Sequence, residues 1–272
     1  MAAPPDDILK LREDLRSMLH QIEKELYHAY LPKPLFVKTR DEFAGRYPEA
    51  DHTFLNHYAR LYAERQIIAI RRMVDKDHRA ISLWRVIDRL KRNPAIGNRC
   101  DLLAEHRRNH PHDSYLNIEW NDFYHEHFGP EPTPSITALD KICVVLTGES
   151  SVVRKVREFA DQNVAHKDRR GAPSPTYADI HLALTRLALI FNTVNMLLNW
   201  ETGSFCLISV PPSWMKVFGA PLFQDGGPRR QTGPGCGACG VTLISDRAAR
   251  SDRGACLAFC QVGREQVRKC HR

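Results

Sequence analysis

Residues 177–200 read YADIHLALTRLALIFNTVNMLLNW, and this stretch decides the fold. Its apolar side chains recur at three- and four-residue steps and spread around much of the helical circumference. The stretch therefore predicts a long helix at the centre of a helical domain. Thr176 stands where its N-cap belongs, with Asp179 three positions on. The same signature recurs upstream. Ile8, Leu11, Leu15, Leu19, Ile22 and Leu26 form one stripe. That helix is predicted to be capped by Asp6 or Asp7 and ended by Pro32 and Pro34. Thr39-Arg-Asp-Glu42 reads as a capping box opening a short helix that stops at Pro48.

Residues 52–75 predict a long helix whose buried side carries Leu55, Tyr58, Leu61, Tyr62, Ile68 and Met73. Ser82 caps the next helix, which ends before Pro94. Residues 98–128 predict two shorter helices broken at His110-Pro111, and GPEPTPS over 129–135 predicts a loop. Helical pattern resumes over 135–147 and from Ser150 into Ala165. No repeat of about 20–50 residues is visible, and strand-like alternation is scarce, so the expected fold is an all-α bundle and not a solenoid.

The chain divides by composition. Hydrophobic residues make up 43%, enough for a sizeable core. Of the net charge of +7, residues 203–272 carry +6 and residues 1–202 only +1. The basic character thus belongs to the tail and is no sign that the helical body binds nucleic acid. Ten of the 15 glycines also lie in the tail, as do Cys206, Cys236, Cys239, Cys256, Cys260 and Cys270, whereas only Cys100 and Cys143 lie in the body. The expected organisation is a helical domain over 1–202 and a non-helical Gly/Cys/Arg-rich tail over 203–272. No run of about 18 apolar residues is present, which predicts no membrane-spanning helix. The start of the chain, MAAPPDDILKLREDLR, lacks a basic stretch followed by an apolar one. It predicts no secretory leader and a cytoplasmic location.

Two readings of the tail stand side by side. Cys236-Gly-Ala-Cys239 resembles half of a zinc ribbon, and Cys256-Leu-Ala-Phe-Cys260 follows after sixteen residues. These four thiols are the candidate zinc ligands. The other reading is an extension rich in Gly, Arg and Pro with incidental cysteines.

In the body, Asp75 and Asp77 flank a turn, and His106 and His110 stand four apart as ligands on one helix face would. Helix ends and surface solvation account for both pairs more simply. The aromatics Phe54, Tyr58, Tyr62, Trp84, Trp120, Tyr124 and Trp200 fall at spacings that suit a core.

Two segments carry a likeness. IIAIRRMVDKDHRAISLWRVIDRL (67–90) is a long helix ending in Arg-x-x-Asp, then a short turn, then Ser-Leu opening the next helix. VREFADQNVAHKDRR (156–170) is a helix closing on Val-Ala-His-Lys-Asp. With the last helix they make residues 8–200 resemble the HEPN superfamily, in its abortive-infection branch of bacterial phage-defence proteins. The resemblance implies an up-and-down bundle of four or five helices that often dimerises. It implies a defence or toxin-type protein acting on RNA, partnered by an antitoxin or another defence protein, with no cofactor in the helical domain. Active members of the family are metal-independent endoribonucleases. Their motif is an Arg, often followed by a polar residue, with His after four to six intervening residues.

His166 matches the motif's histidine and Asp161 its polar residue, but the arginine position holds Ala160. A histidine can move the 2′-OH proton of RNA, and an arginine can hold phosphate as charge builds. Arg169 and Arg170, just after His166, are the nearest substitutes for the missing cation. Arg157 is the nearest upstream, and on a regular helix it falls opposite His166. Asp161 and Asn163 are the supporting polar groups. The departure at Ala160 leaves a second expectation: a non-catalytic HEPN-like module that binds RNA, a nucleotide or a protein.

Overall fold

The computed structural model describes residues 5–46, 53–110, 112, 114–165, 174–201 and 203. Among these residues every regular element is helical and there is no strand. In chain order the elements are α1 (Asp6–Tyr30), α2 (Pro32–Arg46), α3 (Thr53–Met73) and α4 (Leu83–Arg92). A 3-10 turn (Pro94–Gly97) leads to α5 (Arg99–Asn109), α6 (Ser114–Phe128), α7 (Ile136–Thr147) and α8 (Val152–Phe159). A π-helical turn (Ala160–Ala165) continues α8, and α9 (Tyr177–Asn199) completes the set.

Helix α9 is the axis of the domain. It packs on α1, α3 and α8, and more lightly on α4, α6 and α7. Its Ala183, Leu187, Phe191, Val194, Leu197 and Leu198 are fully buried. By length and composition alone α9 could cross a membrane, which the sequence reading did not register; here 56% of its most apolar window is buried inside the protein. Thr176 and Asp179 form the expected capping box: Asp179 N–H donates to Thr176 Oγ1 at 3.1 Å and Thr176 N–H to Asp179 Oδ2 at 2.8 Å. Ser82, Ser135 and Ser151 cap α4, α7 and α8 with the hydroxyl alone, each accepting from the backbone N–H three residues on. On α1 the stripe Leu15, Leu19, Ile22 and Leu26 is wholly buried, as its spacing predicts.

Three local expectations are corrected. Asp6 and Asp7 do not cap α1. Pro5 holds the cap position without a side-chain bond, and the two carboxylates sit in the first turn, where they favour the positive end of the helix. Pro32 and Pro34 follow the end of α1 at Tyr30, as expected, and they also open α2, because the first turn of a helix has no use for the N–H that proline lacks. Thr39 therefore lies inside α2, 2% exposed, and opens no helix; Pro48 lies outside the described residues. On α3 the buried face runs through Tyr62, Gln66, Ile67, Ile70 and Met73, while Leu61 and Ile68 are half exposed.

The far end of the domain is tied by buried charge. Arg12, 1% exposed, donates from Nε to the Ile96 carbonyl at 3.0 Å and from Nη1 to Glu105 at 3.1 Å. Arg16 donates to the same carboxylate at 2.6 Å and to the Leu198 carbonyl at 2.8 Å. The carbonyls of the 3-10 turn and of the last turn of α9 thus find donors on α1. At Gly97 the turn meets the loop before α7 so closely that a Cβ would stand 2.6 Å from the Pro134 ring.

Candidate functional site

Helix α8 turns Val153, Val156 and Ala160 inward, and all three are fully buried. The residue at the motif's arginine position is therefore a core residue, set against the hydrophobic cluster. A guanidinium there would be both overpacked and desolvated. From Ala160 to Ala165 the backbone is π-helical. Such turns insert an extra residue into the α ladder and recur at functional sites. They also rotate less per residue than an α turn. The geometry that sets Arg157 opposite His166 presupposes a regular helix, and the π turn removes that premise.

Asp161 lies at the start of this turn, facing the C-terminal end of α3. Its Oδ1 accepts from Arg71 Nε at 2.5 Å, and its Oδ2 stands 4.0 Å from Arg157 Nε. Arg157 Nε is buried and has no hydrogen-bond partner among the described residues. The hydrogen bond to Asp161 raises the Arg71 pKa above its ordinary value; burial opposes it, and the charges of Asp161 and Asp75 add to it. Neighbouring Arg72 turns elsewhere, to Glu25 on α1 at 3.3 Å. One carboxylate thus hydrogen-bonds one guanidinium and stands at ion-pair distance from a second, and the Arg71 bond uses Nε alone. Asn163 serves the turn itself, donating from Nδ2 to the Phe159 carbonyl at 3.3 Å.

Of the residues brought together here, the sequence offers Asp161, Asn163 and Arg157 as candidates but not Arg71. The signal for Arg71 was inside the 67–90 segment, but nothing local links it to a residue ninety positions on. His166, Arg169 and Arg170 lie outside the described residues, as do Cys236, Cys239, Cys256 and Cys260.

The other candidates resolve into structural roles. Asp75 Oδ1 accepts from Asp77 N–H at 2.9 Å and Asp77 Oδ1 from Arg79 N–H at 2.8 Å, so the two carboxylates shape the turn before α4. The side-chain and backbone bonds from Arg79 hold the Asp77 carboxyl down at about 2. His106 stacks between Trp200 and His110. Among the described residues no group of three or more His, Cys, Asp and Glu is placed to hold a metal ion.

A second polar pair was not anticipated. Tyr62 Oη and His181 Nε2 are 2.8 Å apart, inside an aromatic cluster in which Phe36 stacks on Tyr62 at 4.1 Å. Burial, with the charges of Lys33 and Arg40, pushes the His181 pKa down to about 4. One turn along α3, Gln66 is fully buried, and neither polar atom of its amide has a hydrogen-bond partner among the described residues.

Comparison of the chain with family models, with curated proteins and with solved structures finds no match in any of the three.

Proposed function

We propose that the chain is a HEPN-like protein of bacterial defence or toxin type that acts on RNA, as an endoribonuclease whose phosphate-binding cations come from outside position 160. The observation that carries this reading is the Arg71–Asp161–Arg157 cluster on the turn leading to His166. It supplies the cation that the sequence lacks at Ala160. In the proposed reaction His166 takes the proton of a ribose 2′-OH. The freed oxygen attacks phosphorus, the bond to the 5′ oxygen breaks, and that oxygen regains a proton, leaving a 2′,3′-cyclic phosphate and a 5′-hydroxyl. Arg71 and Arg157 stabilise the charge on the phosphorane oxygens, with Arg169 and Arg170 as further donors. Asp161 positions the guanidiniums and Asn163 braces the turn. The proposed assembly is a homodimer, with an antitoxin or defence protein as regulator. Zinc on Cys236, Cys239, Cys256 and Cys260 is proposed for the tail, and is tested by the zinc content of the full chain before and after Cys236→Ser.

A second reading is a non-catalytic HEPN-like module that binds RNA, a nucleotide or a protein. The full burial of Ala160 favours it, because the motif cation has no room at its usual place. Incubation of the purified chain with total RNA separates the two. The nuclease reading expects cleavage that survives EDTA, leaves cyclic phosphate ends and vanishes in His166→Ala. Cleavage that persists in that variant overturns the assignment of His166. RNA retention without cleavage by the wild type leaves the binding module as the function.

A further inference from the structure

Helix α2 is held by an anchor of its own. None of its described side chains joins the main hydrophobic cluster. Phe36, 2% exposed, stacks instead on Tyr62 of α3 at 4.1 Å and 4°. Its ring also lies 5.3 Å from that of Tyr177, at the start of α9, and 5.8 Å from that of Tyr58. Inside this aromatic group lies the bond between Tyr62 Oη and His181 Nε2. Lys33 stands three residues before Phe36 and Arg40 four after it, so the three share one face of α2. Leu31 alone separates α2 from α1, and Pro32 and Pro34 have no N–H with which to bond back to α1.

The imidazole at position 181 is the weak point of this anchor. Burial disfavours its charged form most, and the positive charges of Lys33 and Arg40 on α2 add to that; among the described residues no carboxylate acts on it. Arg40 is paired with Asp41 at 3.1 Å. Asp179, two residues before His181, is held by Lys155 of α8 at 2.8 Å and by the cap of α9. On α3 the ionisable group that meets the ring is the Tyr62 phenol, and on α9 the Tyr177 phenol stands one turn before; neither is charged in acid. Protonation keeps the Tyr62 bond, with the imidazolium as donor, but sets a desolvated positive charge against two others. Lifting α2 removes both cations and admits water to the ring, and each change favours the charged imidazole. An apolar side chain at 181 would seat Phe36 without this cost in acid. We propose that α2 is an acid-released strap: protonation of His181 frees α2 from α3 and the start of α9 while the rest of the helical domain stays folded. The strap does not depend on the RNA function proposed above.

The test is native-state hydrogen exchange of the full chain, read by segment at about pH 7.5 and about pH 5 and corrected for the intrinsic exchange rate. With the His181 pKa at about 4 when α2 is closed and at its ordinary 6.5 when α2 is open, the opening constant rises about 30-fold between these conditions. Protection of the α2 amides is expected to fall by that factor and to change little in low urea, because a local opening exposes little surface. The buried turns of α9 exchange more slowly than α2 at both pH values, and their exchange rises steeply with urea. In His181→Gln the fall in α2 protection shrinks to about threefold or less. Lys33→Glu, at a half-exposed position, puts a carboxylate near the imidazolium. It shrinks the fall at least about threefold with His181 still in place.

If α2 and α9 show the same protection and the same urea dependence, α2 leaves only when the whole domain unfolds, and the proposal fails. If α2 opens locally but its protection is equal at both pH values, or falls as far in the variants as in the wild type, His181 is not the trigger. If His181→Gln does not fold, Lys33→Glu decides alone, and an undiminished fall in that variant overturns the proposal.

Discussion

Arg71 and Asp161, ninety positions apart, meet through a single hydrogen bond from Nε to Oδ1 that joins the end of α3 to the π turn after α8. Both side chains remain about two-fifths exposed, at 41% and 45%. A pair this wet contributes no more than about 1 kcal/mol to stability. Its value is orientation: it holds Arg71 to a carboxylate whose other oxygen stands 4.0 Å from Arg157 Nε.

On the proposed nuclease reading, Arg71→Ala is therefore expected to leave the urea midpoint nearly unchanged while lowering RNA cleavage by about 100- to 1000-fold, the usual loss when one donor to a developing anion is removed. Arg71→Lys keeps the charge but not the planar fork, and restores little. A large drop in stability with unchanged cleavage would make Arg71 a structural residue only.

Placing an arginine at position 160 is expected to harm the fold. Ala160 is fully buried against the core, so Ala160→Arg must overpack the interior or bury an unpaired charge, at a cost of about 3 kcal/mol or more. Chemical denaturation of the variant measures this. A variant that keeps wild-type stability and gains nuclease activity would show that position 160 opens outward in solution.

His181 makes the helical domain acid-sensitive in a defined window. Its pKa is about 4 in the folded chain against an ordinary 6.5, so between these values the unfolded chain binds the proton more readily. Stability is intact above about 6.5 and falls as the pH drops toward 4. His181→Gln, which retains a partner for Tyr62, flattens this part of the stability profile. An unchanged profile in that variant would place the acid sensitivity elsewhere.

Glu105 acts lower on the scale. Burial opposes ionisation, but the hydrogen bond from Arg16 and the charges of Arg16 and Arg12 outweigh it and hold the carboxyl below its ordinary 4.5. The stabilisation is present above that value and is lost as the pH falls through the depressed one. Glu105→Gln leaves the buried Arg12 with only Asp101, 4.0 Å from its Nη2, as counter-charge, and costs about 3 kcal/mol at neutral pH. That gap should close in denaturation curves taken on the acid side of 4.5.

Gln66 is an opportunity for stabilisation. Its fully buried amide has no hydrogen-bond partner among the described residues, so Gln66→Met exchanges a desolvated polar group for an apolar one of similar shape. A gain of about 1–3 kcal/mol is expected. A loss would mean that the amide is satisfied by a group beyond those residues.

Local chemistry was legible in the chain itself. Ser82 and Thr176 announced helix starts, because an N-cap hydroxyl satisfies an N–H only one turn away. The stripe from Leu15 to Leu26 declared its buried face, because a helix repeats its faces every three to four residues. Pro32 and Pro34 marked the end of α1, but sequence alone did not show that they also open α2, since a missing N–H suits a helix start as well as a helix end. On α3 it placed Leu61 and Ile68 inside, since apolar residues on more than one face give no single stripe to follow. Tertiary structure alone decided the surroundings of Asp161. It buried Ala160 against the core, introduced the π turn after it, and brought Arg71 to Asp161 across ninety residues. Such pairings depend on how helices pack, and helix packing is set by the whole core rather than by any segment of it.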